Sequence, residues 1–184
     1  MRKEDPRIKR TRILIQTAFL KLLETKAYEE ITVQDILDIA EVNRSTFYKH
    51  YLNKEKLIEQ IIGQLKETII LPLLEQRFSA PIKEFASIAV PLINEHRSTF
   101  RLLWQVDTQR VSLKRDFFNL VKNKYISVSQ TKFDRTIAEL EFQGTLFAYI
   151  SVGMFEHIIQ GADAINPDIE QQNIKDVLSF FDMQ

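Results

Sequence analysis

Apolar residues recur along the chain at spacings of three and four, and the strict alternation of a half-buried strand is absent. The pattern predicts an all-α protein. Between Arg7 and Thr25, residues Leu14, Ile15, Ala18, Phe19, Leu22 and Leu23 make the stripe of a first amphipathic helix. Thr32, with Asp35 three residues on, is a capping-box-like start for a second helix from Val33. On it, Val33, Ile36, Leu37 and Ala40 share one face and Gln34, Asp35 and Asp38 the other. Glu41 and Val42 form a break, and Asn43 is placed to cap a third helix from Arg44 to about Tyr51. After a second break at Leu52 and Asn53, a fourth helix is expected from Lys54 past Gly63 toward Leu71, where Pro72 interrupts.

In the rest of the chain, Pro81 opens a helix through IKEFASIAVPLINEH that Pro91 should kink or break. STFRLLWQV reads as a short helix capped at Ser98, and SLKRDFFNLVKNKYI as another. From about Asp134 to Gln160 runs a long helix, apolar on nearly every face between Gly144 and Ile159, which requires cover on all sides. Gly144, Ala148 and Ser151 fall on adjacent turns and suit close helix approach. The last helix begins with Asn166 as cap, Pro167 at the first position and Asp168 behind it; its stripe is Ile169, Ile174, Val177, Leu178 and Phe181.

Composition narrows the chemistry. The absence of cysteine excludes disulfides, thiolate metal sites and cysteine nucleophiles. The histidines at 50, 96 and 157 are far apart, and no H-x-x-x-H, H-E-x-x-H, glycine-rich phosphate loop or G-x-S-x-G occurs. No enzyme activity, metal or cofactor is therefore expected. MRKEDPRIKRTR lacks the apolar core of a signal peptide, and GTLFAYISVGMFEHIIQG is short for a membrane span and carries Glu156 and His157. The expectation is a cytoplasmic protein with no membrane partner. The formal net charge of zero hides an asymmetry, since residues 1–56 hold 12 Lys/Arg against 9 Asp/Glu and the remainder 13 against 16. The positive field belongs to the N-terminal third, and a polyanion partner is expected for that part only.

The third helix is where such a partner would be read. Phe47 and Tyr51 project to one side and Ser45, Thr46 and Lys49 to the other, with Tyr48 and His50 flanking and Arg44 in the first turn. Short hydroxyls and one lysine let a helix approach base edges in a major groove, while the flanks meet phosphates. Two short helices joined by a tight turn, the second carrying that face, make a helix-turn-helix. A solvated polar face in an ordinary bundle is the bland alternative.

ITVQDILDIAEVNRSTFYKHYLNKEKLIEQII, with ILIQTAFLKLLE and YEEIT before it, resembles the DNA-binding domain of TetR/AcrR-type transcriptional regulators, over roughly residues 8–65. The matching features are the opening T-V, the S-T-F-Y-x-H-Y segment and the N-K-E-x-L entry to the next helix. Glu41 departs from the pattern, where many relatives have glycine; a positive φ there would cost about 1 kcal/mol. The resemblance implies double-stranded DNA as partner, with phosphate contacts from Thr32, Tyr48, His50 and Lys54 and groove contacts from Arg44, Ser45, Thr46 and Lys49. It also implies backbone or minor-groove contact by a basic N-terminal arm carrying Arg2, Lys3 and Arg7, for which a frayed, solvated terminus is the alternative.

Residues 1–53 are thus expected to form the helix-turn-helix domain with its arm, and residues 54–184 a helical domain for effector binding and dimerisation. A second subunit is expected to cover Phe147, Ile150, Met154, Phe155 and Ile158 of the long helix, together with Ile174, Val177 and Phe181 of the last. The resemblance also implies that four-helix interface; an intrachain core is the alternative. Phe100, Trp104, Phe118, Tyr125, Phe142 and Tyr149, interleaved with polar groups, are candidates to line a site for a small apolar or aromatic effector, though an ordinary core would use the same residues. The function expected is a homodimeric repressor that binds an inverted repeat and is switched by that effector. The alternative is a helix-turn-helix adaptor or activator that works through protein contacts without a small molecule.

Overall fold

The computed structural model describes residues 5–161 and 166–180, in which the regular structure is helical. In chain order these are α1 (Pro6–Leu23), α2 (Val33–Ala40), α3 (Arg44–His50), α4 (Lys54–Leu65), α5 (Leu71–Ser79), α6 (Ile82–Trp104), α7 (Leu113–Gln130), α8 (Ile137–Gln160) and α9 (Pro167–Ser179). A 3-10 turn at Tyr28–Glu30 precedes α2, and a π-helical stretch at Lys66–Ile70 joins α4 to α5. No helix among the described residues is long and apolar enough to cross a membrane.

Packing divides the chain into two units, one of Met1–Thr68 with Leu102–Lys114, the other of Ile69–Arg101 with Arg115–Gln184. The first is larger than a 1–53 segment, because α4 and the α6–α7 connection pack in it. Its interior holds Ile15, Phe19, Ile36, Phe47, Leu57 and Ile58, with Leu103 and Leu113 from the later segment. Leu14, expected in the α1 stripe, is exposed; it sits about 100° around the helix from Ile15, and the buried face is set by Ile15, Ala18, Phe19 and Leu22. In the second unit Leu74 of α5, Val121 of α7 and Ala148 of α8 form a cluster ringed by Phe78, Phe117, Phe118, Leu120 and Phe147.

Two expected breaks do not form. Ile82–Trp104 is one helix of 23 residues with Pro91 inside it, so Ser98 lies within the helix and starts no new one. Pro91 is exposed, and the buried Ala89, Ile93, Phe100 and Leu103 on either side hold both halves in one helix; packing outweighs one missing hydrogen bond. Likewise Pro72 does not interrupt the path from α4. It lies in the first turn of α5, and the wider π-helical turn directly before it relieves the clash of its ring with the preceding helix. The long C-terminal helix begins at Ile137, where Thr136 and Glu139 form a reciprocal capping box.

Candidate nucleic-acid interface

α3 is positioned by its neighbours at both ends. Upstream, Thr32 Oγ1 accepts the Asp35 N–H at 3.1 Å, while Asp35 Oδ2 accepts the Thr32 N–H at 2.8 Å and its hydroxyl at 2.7 Å. The expected capping box is present, and the Thr32 hydroxyl is engaged within it. The Thr32 N–H first, then its hydroxyl and the Lys26 ammonium at 3.0 Å, bring the Asp35 pKa down to about 2. α2 ends at Glu41, which adopts the left-handed conformation (φ 53°, ψ 41°). Its N–H and that of Val42 both reach the Leu37 carbonyl, so the turn into α3 is a glycine-type cap made without glycine. Asn43 occupies the cap position of α3 as expected, but its side chain caps nothing.

The inner face of α3 is fixed by Phe47 and Tyr51, both buried, with rings 5.7 Å apart. Gln16 of α1 donates its Nε2–H to the Tyr51 hydroxyl at 3.3 Å and to Gln64 Oε1 of α4 at 3.1 Å, linking both flanking helices to the end of α3. On the outer face Arg44, Ser45, Tyr48 and Lys49 are exposed, and Thr46 and His50 are half-buried. The Arg44 guanidinium stacks loosely over the Tyr48 ring, 5.6 Å from its centroid. The residues read from the sequence as the reading face and its flanks therefore lie together on one accessible side of a short, well-anchored helix.

Lys54 has a different setting from the one its phosphate assignment implies. Its ammonium donates to the carbonyls of Tyr28 at 2.6 Å and Ile31 at 2.7 Å, with Glu29 O at 3.4 Å, and lies 4.2 Å from the centroid of the Tyr28 ring. An ammonium has three N–H donors, so in this arrangement none is left for a phosphate. Burial lowers its pKa, against the charges of Glu29, Glu55 and Asp35. Lys54 thus ties the turn before α2 to the first residue of α4, on either side of α3. Beneath it, the Tyr28 pKa is pushed up to about 12, first by burial and then by Glu55, Glu29 and Glu59. Sequence reasoning missed Gln16, Tyr28 and the Asn53 cap of α4, whose Oδ1 accepts the Lys56 N–H at 2.8 Å. Only the asparagine at the break before α4 carried a local signal for its role.

Arg7, expected in a flexible arm, lies in the first turn of α1, its N–H bonded to Asp5 Oδ1 at 2.9 Å. Helix α1 starts at Pro6 because Asp5 caps it and proline suits the first helical position. Arg2 and Lys3 lie outside the described residues, as does Phe181 of the expected dimer face.

The candidates in the C-terminal part are redistributed. Helix α8 buries Leu140, Gly144, Ala148, Val152, Phe155 and Ile159 on one side. Phe155, expected at a subunit interface, is instead stacked on Phe117 at 4.9 Å, and Phe147 is in ring contact with Phe78 and Tyr125. Both belong to the interior of the second unit. On the other side, Phe142 and Tyr149, expected to line an effector site, are 69% and 65% exposed, in line with Leu146 and Ile150. Met154, Ile158 and Ile174 are half-buried and Val177 is exposed. Tyr125 donates its hydroxyl to Gln143 Oε1 at 3.2 Å, and the Phe118 ring lies 4.9 Å from that of Tyr149. Phe100 meets Phe155 edge-on at 5.1 Å in the second unit, whereas Trp104 is buried in the first.

Comparison with known proteins agrees with this geometry. Residues 15–61 match the family of bacterial regulatory proteins described as the tetR family. An uncharacterised HTH-type transcriptional regulator of Bacillus subtilis, YxbF, is 46% identical over 67 residues, 36% of this chain and 18% of that protein. DhaS of Lactococcus lactis, an HTH-type transcriptional activator of the dhaKLM operon, is 39% identical over 51 residues, 28% of this chain and 27% of DhaS. The matches thus span less than a third of these relatives' length. The crystal structure of a TetR transcriptional regulator from Streptococcus agalactiae shares the fold over 92% of this chain and 94% of its own, with a TM-score of 0.68 at 20% identity. Residues 15–61 thus carry the DNA-binding domain of the tetR family of bacterial regulators, and the chain shares the fold of a TetR transcriptional regulator over most of its length.

Proposed function

We propose that this protein is a transcriptional regulator that binds an inverted-repeat operator in double-stranded DNA as a homodimer and is switched by a small molecule bound in its C-terminal unit. The observation that carries the DNA-binding reading is the outer face of α3. Arg44, Ser45, Tyr48 and Lys49 stand exposed there over an inner face fixed by Phe47 and Tyr51. Ser45, Thr46, Lys49 and Arg44 are assigned to the groove, and Tyr48 and His50 to phosphates. Thr32 and Lys54 have their side-chain donors engaged inside the protein and are assigned to holding the helices that present α3.

Dimerisation is supported by the aligned, exposed Phe142, Leu146, Tyr149 and Ile150 of α8, an apolar patch larger than scattered surface hydrophobics would make. A second copy is the economical cover, because a two-fold pair also presents two reading helices to a palindromic site. The interface assignment therefore moves from Phe147 and Phe155 to this outer row. Repression by occlusion is the simpler mode for such a dimer. Activation is the second reading, and the one observation favouring it is that DhaS, similar in the DNA-binding part, is named an activator.

Selection of genomic DNA fragments by the purified protein, at low and moderate salt and beside a Tyr48→Ala/Lys49→Ala variant, tests the proposal. Enrichment of an inverted repeat by the unmodified protein alone is expected. Failure to enrich any sequence while the protein stays folded and dimeric would overturn it in favour of a protein-docking role.

A further inference from the structure

Within the second unit, Arg77 of α5 is a half-buried cation with no counter-ion among the described residues. Its guanidinium carbon lies 6.0 Å from the ring centroid of Phe85 on α6 and 6.0 Å from that of Phe147 on α8. No hydrogen bond or salt bridge to it occurs among the described residues. Burial lowers its pKa, and no carboxylate among the described residues offsets it. Nearby cations are provided for differently, since Lys124 bonds Glu75 at 2.5 Å and Lys122 bonds Glu141 at 2.5 Å. Glu75, the acid closest to Arg77 in sequence, is therefore already engaged. On the same helix, Gln76 Oε1 is buried without a hydrogen-bond partner.

The surroundings of this cation are aromatic. Phe147 is also in contact with Phe78 at 5.7 Å and with Tyr125 of α7 at 5.1 Å, and Tyr125 leads through its hydroxyl to the Gln143 amide. A half-buried guanidinium flanked by two ring faces, with no carboxylate among the described residues, keeps N–H donors available for an acceptor. Its planar fork matches a carboxylate, and the interaction strengthens where water is sparse. Flat apolar groups are the natural complement of the rings beside it.

We propose that Arg77 anchors a carboxylate-bearing effector whose aromatic or flat apolar body lies among the rings of Phe78, Phe85, Tyr125 and Phe147. The inference rests on the effector-switched reading above and names the chemical class of the effector. It also accounts for an arginine beside aromatic rings with no ionic partner among the described residues, where methionine or leucine would pack without a desolvation cost. A neutral ligand of the same shape would leave the guanidinium uncompensated, so acids and their amides must differ.

The test is thermal denaturation of the full chain with benzoate, phenylacetate and 2-naphthoate, each beside its primary amide, in the unmodified protein and in Arg77→Met and Arg77→Lys. The acids are expected to raise the Tm by about 2 °C or more at saturating concentration, and the amides to leave it unchanged. Arg77→Met should lose the response, with affinity at least tenfold weaker, and Arg77→Lys should keep part of it. Ligand-free Arg77→Met should melt no lower than the unmodified protein. Equal responses to acid and amide, a response that survives Arg77→Met, or no response to any acid would overturn the proposal. The acid–amide comparison needs no variant, so it stands even if Arg77→Met folds poorly. DNA affinity measured with the same compounds separates the two readings. Acid binding without an effect on DNA affinity removes the switch and leaves the site, whereas amide-driven DNA release removes the anchor and leaves the switch.

Discussion

Lys54 shows how far one side chain's setting can depart from its motif role. Its ammonium joins carbonyls 23 to 26 residues earlier in the chain to the start of α4. Replacing it by methionine leaves those carbonyls unpaired and should cost about 2–3 kcal/mol of stability. DNA affinity should fall while the slope of log affinity against log salt stays unchanged. A true phosphate contact would instead lower that slope by about 0.9 per site lost, which salt titration of the variant reads directly. Glu41 stores strain of the opposite sign. With φ at 53°, Glu41→Gly relieves the left-handed penalty and should raise stability by about 0.5–1 kcal/mol, glycine's greater unfolded-state entropy offsetting part of the gain; the urea midpoint is the readout. Asp35 carries the pH dependence of the α2 cap. Its folded pKa is depressed to about 2, so the charged carboxylate supports the fold above the ordinary carboxylate range. That support is lost as pH falls from about 4 toward 2. Asp35→Asn should flatten the stability profile in that window, measured by denaturation at successive pH values.

At the scale of elements, α8 combines two apolar faces, one buried by its own chain and one exposed. The inner row closes on α7 through Gly144, where a Cβ would stand 2.9 Å from Ile126 Cγ1 and 3.2 Å from the Lys122 carbonyl oxygen. The close approach that its small residues allow is thus made within the chain at this position. Phe155→Ala, which removes a buried ring stacked on Phe117, should cost about 3 kcal/mol or more in chemical denaturation. Leu146→Glu or Tyr149→Glu on the outer row should leave monomer stability nearly intact. Either should shift the protein to monomers in sedimentation and weaken operator binding at least tenfold. A stable, DNA-competent dimer in those variants would show that another surface makes the contact. Helix periodicity could not separate these rows, because a segment apolar all round does not disclose which side its own chain covers.

Across the whole molecule, the feature that resisted local reading is the assignment of segments to units. Leu102–Lys114 packs with the helix-turn-helix unit although segments of the second unit flank it in sequence. The α6–α7 connection is held there by buried Val106, Val111 and Leu113, and by Arg110, which pairs with Glu55 of α4 at 3.1 Å. Operator binding should weaken steeply with salt, because a dimer that neutralises several phosphates releases their counter-ions.

The sequence by itself determined the helical class, the helix-turn-helix, the faces of α2 and α3, and the caps at Thr32 and Asn166, where the Asn166 side chain accepts the Asp168 N–H at 3.1 Å. These features depend on interactions within about one helical turn, so local pattern suffices. Only the tertiary structure decided that α6 runs unbroken through Pro91, that Phe155 lies inside and Tyr149 outside, and that the Lys54 ammonium is held by carbonyls while Arg77 has no counter-ion among the described residues. Each of these depends on which distant segment comes to lie against a residue, and that choice is made by the packing of several helices together rather than by the period of any one.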